Sequence, residues 1–226
     1  MRPRFVGRLG LADAVTATNA ALGFVAVAAV AVDPTLTARL ILLAAIADGL
    51  DGIIAKWRGG TPIGPHLDSL ADVASFGIAP AMLVFVGLDD PWTAGDPLYL
   101  AAALVVPALF VTMGVVRLAF YTAYDKNDDH TQGVTTTLAA TILAASVLSG
   151  VSGAVLLGAT LGFSYLMVAT VTYPDLYPRD AFVMGAIQAL AVLVPDAFGG
   201  LFPKALLAWA LAYLVLAPWF YWRSAD

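Results

Sequence analysis

The sequence contains no cysteine and no glutamate, and it has few charges of either sign. Without cysteine the chain can form neither a disulfide nor a thiolate metal site. All 16 acidic residues are aspartate, and charged residues make up only 12% of the chain. A water-soluble protein of this size needs more charged surface, so the shortage of charge argues against a soluble enzyme.

The sequence is instead rich in hydrophobic residues. They make up 61% of the 226 residues, and the mean hydropathy is +0.86. Long apolar runs extend from residue 9 to residue 222, which leaves no room for a separate soluble domain. The composition predicts an all-α, polytopic bundle of transmembrane helices, with residues 1–226 forming one integral-membrane domain.

Proline, glycine and aspartate clusters divide the apolar sequence into about eight spans. A six-span arrangement with two half-helices is the alternative. The least obvious break, at residues 149–153, is required because a single helix across it would reach about 57 Å. The predicted helices cover residues 10–32, 35–57, 66–88, 98–124, 134–150, 153–172, 180–195 and 202–222.

The distribution of positive charge predicts the orientation. Cytoplasmic loops are enriched in lysine and arginine. With eight spans and a cytoplasmic N-terminus, only Arg39 and Lys204 fall on the outer side. The cations on or toward the cytoplasmic side are Arg2, Arg4, Arg8, Lys56, Arg58, Arg117, Lys126, Arg179 and Arg223.

Four aspartates interrupt the apolar sequence between residues 48 and 72. Asp48 and Asp51 are three residues apart, and Asp68 and Asp72 are four apart, so each pair shares one helical face. The short loop between the pairs makes the two helices antiparallel neighbours. All four carboxylates are therefore expected to enter one gap near the cytoplasmic face of the membrane.

Clustered carboxylates repel one another, and a divalent cation relieves that repulsion. All-oxygen ligands favour Mg²⁺ or Mn²⁺, with Ca²⁺ as a competitor, and four carboxylates suffice for two ions. Mg²⁺ commonly completes its shell with substrate phosphates, which points to a phosphorylated ligand. Gly52, Ala55 and Gly64 would let such a ligand approach the backbone. Aspartates that are satisfied by helix ends and interfacial water are the structural alternative.

The same spacing resembles the signature of the CDP-alcohol phosphatidyltransferases, D-x-x-D-G-x-x-A-R followed by a spacer and G-x-x-x-D-x-x-x-D. Seven of the eight signature positions match in this sequence. Lysine stands where the signature has arginine, which keeps the charge but loses bidentate phosphate binding. The corresponding residues are Asp48, Asp51, Gly52, Ala55, Lys56, Gly64, Asp68 and Asp72.

The resemblance implies a role for each of these residues. In the family all four aspartates bind two metal ions, Mg²⁺ or Mn²⁺, and the last aspartate, here Asp72, also deprotonates the acceptor alcohol. Gly52, Ala55, Lys56 and Gly64 would contact the CDP group. The implied reaction is attack of an alcohol on the lipid-side phosphorus of a CDP-lipid with release of CMP, in phospholipid biosynthesis. Relatives are commonly homodimers.

Two further stretches are similar to the phosphatidylserine synthase branch. Asp13, Thr16 and Asn19 recur every three residues along one stripe of the first helix, where they are expected either to line the nucleotide pocket or to form hydrogen bonds between helices. Arg117 lies in the apolar stretch GVVRLAFY and needs an anion, for which a substrate carboxylate or phosphate is a candidate. A snorkelling interfacial arginine is the alternative.

The acceptor follows from the cation inventory. Glycerol phosphate and inositol phosphate, the alternative acceptors, require a cluster of cations for a second phosphate, and near the aspartates the cytoplasmic side offers little beyond Lys56, Arg58, Arg117 and Lys126. L-serine is therefore the favoured acceptor. CDP-diacylglycerol or CDP-archaeol would be the lipid donor, the latter if the aspartate-only, low-lysine composition reflects a salt-loving archaeon rather than GC bias. An ion-coupled transporter is the rival from another functional class, and it predicts carboxylates distributed through the membrane depth.

Overall fold

The computed structural model describes residues 7–89, 91–92, 95–125, 130–174 and 176–221. Within these ranges the chain is a helical bundle with one short two-stranded sheet, β1 with β2. The elements are α1 Leu11–Ala29, α2 Pro34–Arg58, α3 Gly64–Asp72, a π-helical segment Val73–Ile78, α4 Ala79–Val86, α5 Pro97–Phe120, a π-helical turn Tyr121–Asp125, β1 His130–Gln132, α6 Thr136–Leu148, α7 Gly153–Leu166, β2 Thr172–Pro174, α8 Pro178–Leu193 and α9 Leu201–Phe220.

Local sequence accounts for several of the helix boundaries. Asp33 caps α2 by accepting a hydrogen bond from the Leu36 amide at 2.9 Å, and Pro34 occupies the first helical position. Asp96 and Thr135 cap α5 and α6 in the same way. Gly59 ends α2 at a φ of 85°, a conformation that favours glycine. The expected break between α6 and α7 is confirmed.

The helix α3, the π-helical segment and α4 form one continuous rod, Gly64–Val86. With this rod counted once, the described residues contain eight helical rods in the predicted order. Four are long and apolar enough to cross a membrane: Leu11–Ala29, Gly64–Val86, Pro97–Tyr124 and Leu201–Phe220. The helices Thr136–Leu148 and Gly153–Leu166 are apolar but shorter. The structure confirms a polytopic helical membrane protein, and the count of eight spans stays a prediction.

One predicted boundary is wrong. The sequence predicts a helix over 153–172, but α7 ends at Leu166 and residues 172–174 form β2. The strand forms because Thr172–Pro174 pairs antiparallel with His130–Gln132, with Thr131 opposite Tyr173. Two more backbone hydrogen bonds extend this pairing: the Val134 amide donates to the Leu166 carbonyl, and the Gly133 amide donates to the Val171 carbonyl. The pairing partner is about 40 residues away in sequence, so local pattern could not indicate it.

Small side chains dominate the packing between helices. In the first of two apolar clusters, Phe76, Ile41, Leu42 and Leu83 are surrounded by buried alanines. Helices in a membrane associate through close packing of small residues, since lipid gives no hydrophobic drive between them. Large apolar side chains instead cover the outside, where they would face lipid. The most exposed include Phe24, Val32, Phe182, Phe198, Trp219 and Phe220.

Contacts between helix ends define which termini lie together. Arg39, near the start of α2, donates to the Val192 carbonyl near the end of α8 at 2.6 Å. At the opposite end, the Tyr221 hydroxyl donates to Asp180. Thr137, at the start of α6, lies 3.5 Å from Asp48 in the second half of α2. The aspartates, both strands and the C-terminal end of α9 therefore share one end of the bundle.

Candidate functional site

Three aspartates converge at this end of the bundle. One carboxylate oxygen from each of Asp48, Asp68 and Asp72 lies within 4.8 Å of the others. Asp72 is 6% exposed, while the other two are half-buried. The helical spacing in α2 and α3 and the tight Gly59–Gly60 turn bring them together, as the sequence predicts. We call these three residues the aspartate cluster.

Asp51 lies beside the aspartate cluster but not within that radius. Its carboxylate accepts a hydrogen bond of 2.5 Å from the Thr16 hydroxyl of α1, and the side chain is 7% exposed. Its charge still repels those of Asp48 and Asp68. The structure therefore brings three of the four predicted ligands into one group, and a hydrogen bond from the first helix holds the fourth, Asp51 of α2, next to it.

The polar stripe of α1 faces the helices that carry the aspartates. Asp13 accepts from Thr61 at 2.8 Å and from the Gly10 amide at 2.7 Å. The Asn19 side-chain amide donates to Asp72 at 3.3 Å. All three stripe residues are at most 4% exposed. Thr16 and Asn19 thus form hydrogen bonds between helices, one of the two roles expected from the sequence, whereas Asp13 contacts the α2–α3 loop and the start of its own helix. A role in nucleotide binding stays a prediction for all three.

The remaining signature positions surround the turn after α2. Gly52 and Lys56 are exposed, and a side chain built on Gly52 would meet no atom within 4 Å. A Cβ on Gly64 would lie 3.2 Å from an Asp13 oxygen, so this position is tight. Ala55 is half-buried. Open space at Gly52 is consistent with the predicted approach of a nucleotide, and contact with CDP stays a prediction for all four residues.

A cavity of about 600 Å³ opens against the aspartate cluster. Among the described residues, Lys56 and Arg117 are the lysine and arginine that line it. Arg117 is 7% exposed, donates to the Thr131 hydroxyl at 3.1 Å and lies 5.2 Å from the Tyr121 ring centroid. Such burial is inconsistent with the snorkelling alternative, in which the guanidinium reaches water. The structure instead places the guanidinium in the same cavity as the carboxylates.

Several cavity residues were not indicated by the sequence. Thr131 and Tyr173 come from the strands, Thr137 from α6 and Gln188 from α8. Burial raises the pKa of Tyr173, so its phenol stays protonated and donates to the Leu214 carbonyl at 3.2 Å. Gln188 donates to the Leu42 carbonyl at 2.7 Å. Of these residues, only Gln188 left a signal in the sequence: it is a polar residue in the apolar α8, and a buried glutamine needs a hydrogen-bond partner.

The residues present fit a divalent metal ion. The donors are carboxylate oxygens, which are hard ligands suited to Mg²⁺ or Mn²⁺. Three such groups within 4.8 Å, one of them almost fully buried, are costly to hold together without a compensating cation. Their convergence at one end of the bundle also contradicts the distributed carboxylates that a transporter would need.

Comparison with known proteins agrees with this geometry. A family model described as CDP-alcohol phosphatidyltransferase matches residues 9–216. Archaetidylserine synthase from Methanothermobacter thermautotrophicus is 29% identical over 175 residues, covering 74% of this chain and 70% of that protein. CDP-diacylglycerol–serine O-phosphatidyltransferase from Mycobacterium bovis is 36% identical over 124 residues, covering 54% of this chain and 40% of that protein.

A CDP-diacylglycerol–serine O-phosphatidyltransferase from Helicobacter pylori is 30% identical over 149 residues. That match covers 60% of this chain and 59% of the Helicobacter protein. The chain thus spans less than two thirds of these two bacterial relatives. The family model, in contrast, covers the aspartates, the cavity and nearly every helix. The chain belongs to the CDP-alcohol phosphatidyltransferase family.

Proposed function

We propose that this protein transfers the phosphatidyl or archaetidyl group of a CDP-lipid to the hydroxyl of L-serine and releases CMP. The observation that carries the proposal is the aspartate cluster beside a cavity that also contains Arg117. The relatives named as serine-using synthases support serine as the acceptor. The enzyme would act in phospholipid biosynthesis at the cell membrane, with its site near the cytoplasmic face, and as a homodimer.

The chemistry assigns a separate task to each group. Asp72 accepts the proton from the serine hydroxyl, whose oxygen forms a bond to the lipid-side phosphorus as the bond to CMP breaks. Asp48, Asp68 and Asp72 would hold a divalent ion, and Asp51 would contribute to a second. When bound, these ions offset the pyrophosphate charge and stabilise the leaving CMP. Lys56 binds phosphate, and Arg117 binds the acceptor anion.

A small zwitterion fits this cavity better than a phosphorylated alcohol. In the part of the chain that the structure describes, Lys56 and Arg117 are the lysine and arginine of the cavity wall. The pyrophosphate of the CDP-lipid occupies Lys56, which leaves one guanidinium for the acceptor. Serine brings a single carboxylate, whereas glycerol phosphate or inositol phosphate brings a dianionic phosphate. The same reaction with one of those phosphates as acceptor is the second candidate.

Purified protein with a CDP-lipid and a panel of acceptors tests the proposal. We expect CMP release with L-serine but not with glycerol phosphate or inositol phosphate, loss of activity in EDTA and recovery with Mg²⁺ or Mn²⁺. Both CDP-diacylglycerol and CDP-archaeol should be tried as donors. Turnover with a phosphorylated acceptor alone would refute serine but keep the reaction. Full activity in EDTA would refute the metal-dependent mechanism.

A further inference from the structure

The two strands form a ribbon, residues 130–132 and 172–174, along one side of the cavity. Tyrosines fix it to α9. The Tyr173 hydroxyl donates to the Leu214 carbonyl at 3.2 Å, and the Tyr213 hydroxyl donates to the Pro174 carbonyl at 2.6 Å. Two hydrogen bonds therefore connect the ribbon to α9, and they fix the position of the ribbon's side chains.

A glycine fixes the other end of the ribbon. Gly133 has a φ of 73°, and a Cβ there would overlap the Met167 carbonyl at the end of α7. Its amide donates to the Val171 carbonyl at 2.8 Å. Only glycine combines this backbone conformation with so close an approach. The ribbon is thus held against α7 as well as α9.

Thr131 is the ribbon residue that contacts a cavity cation. Its hydroxyl oxygen accepts the 3.1 Å hydrogen bond from Arg117, and both side chains line the cavity. A free arginine side chain has extensive rotamer freedom, which must be lost when it binds an anion. The hydrogen bond that Arg117 donates to Thr131 of the ribbon removes part of that rotamer freedom before the ligand binds.

Arg117 and Asp72 both line the cavity, and their opposite charges attract each other. In serine only two carbons, Cβ and Cα, separate the hydroxyl oxygen from the carboxylate carbon. A hydroxyl presented to Asp72 therefore carries its carboxylate into the immediate surroundings of Asp72. The guanidinium supplies the attraction that this anion needs beside four aspartates.

From this arrangement we infer that Thr131 is a positioning residue for acceptor recognition. It holds the Arg117 guanidinium in the orientation that receives the carboxylate of serine. The ribbon is then the part of the fold that selects the acceptor, while the aspartate helices handle the CDP-lipid. The inference rests on the proposed function, since it assigns a residue to the binding of serine.

The test compares Michaelis constants for the two substrates. Thr131→Val keeps the side-chain shape but removes the hydroxyl. Loss of a hydrogen bond to a charged group corresponds to roughly a ten- to hundredfold effect. We expect the KM for serine to rise by that factor, while the KM for the CDP-lipid and kcat at saturating serine change less than about twofold. Thr131→Ser, which restores the oxygen, should return the serine KM to the wild-type value.

Thr112→Val is the matched control. Thr112 is exposed on α5, and its hydroxyl donates to the Ala108 carbonyl at 2.9 Å, away from the cavity. Thr131→Ala removes the same oxygen without the second methyl group and serves if valine is not accommodated. An unchanged serine KM in Thr131→Val or Thr131→Ala, or a parallel rise in the KM for the CDP-lipid, would overturn the inference. Absence of serine turnover by the wild-type protein would instead refute the proposed function.

Discussion

At the scale of single residues, Asp72 combines the features that a general base in this site requires. It is 6% exposed, belongs to the aspartate cluster and receives a hydrogen bond from the Asn19 amide. Asp48 and Asp68 are more open, and Asp48 also faces Thr137. The structure thus gives Asp72 a fixed orientation, which proton transfer from a positioned alcohol demands.

Replacing Asp72 by asparagine tests its assigned role. The amide keeps the shape but cannot accept the acceptor's proton, so we expect turnover to fall by at least about a hundredfold. Binding of the CDP-lipid, measured by titration calorimetry in detergent, should remain detectable. Asp89→Asn makes the same change in an exposed loop residue and should leave turnover unaltered. Near-normal activity of Asp72→Asn would remove Asp72 from the base role.

At the scale of elements, the first helix supports the rod that carries two of the aspartates. Gly23 of α1 faces the π-helical segment that follows Asp72 directly. A Cβ at this position would lie 2.7 Å from the Ser75 amide nitrogen and 2.8 Å from the Ala74 carbonyl carbon. The missing side chain therefore allows α1 to contact the backbone of the rod just beyond the site.

Gly23→Ala should consequently force the first helix away from the rod. Overpacking of this kind costs about 1–3 kcal/mol. We expect a lower melting temperature in detergent and a reduced kcat, because Asn19 and Asp72 would separate. Gly162→Ala is the control, since a Cβ on this exposed glycine of α7 meets no atom within 4 Å. Equal melting temperatures for the two variants would show that the contact tolerates a methyl group.

At the scale of the whole molecule, the helices alternate in direction and place the site at one end. Arg58 at the end of α2 belongs to the site end. Lys204, near the start of α9, belongs to the other end, where Arg39 reaches Val192. The charge distribution predicts that the site end is cytoplasmic. Arg2, Arg4, Lys126 and Arg223 from that distribution lie outside the described residues.

The absence of cysteine makes this orientation directly measurable. Single cysteines introduced as Arg58→Cys and Lys204→Cys place one thiol at each end, and both positions are exposed. A membrane-impermeant maleimide added to intact cells or spheroplasts should label only the Lys204→Cys protein. Inverted vesicles should give the opposite result. Labelling of Arg58→Cys from outside would reverse the predicted orientation.

Sequence pattern was sufficient for the features that depend on local spacing. The aspartates are three and four residues apart on two helices that a glycine turn joins. This spacing predicts that their carboxylates face one another, and the aspartate cluster confirms it for Asp48, Asp68 and Asp72. Proline, glycine and capping residues likewise located the helix breaks. The π-helical segment Val73–Ile78, which Gly23 of α1 approaches closely, had no such signal in the sequence.

The amino-acid sequence by itself determined the membrane-embedded helical class, the signature of the family and the carboxylates expected to bind metal. The helical class follows from composition, the shared faces of the aspartates follow from their spacing, and the family follows from the resemblance of that stretch to a known signature. Tertiary structure alone decided that Asp51 contacts Thr16 rather than joining the cluster, and that Arg117 meets Thr131 on a strand. Both contacts join segments that approach each other only when the helices pack, so no local pattern encodes them.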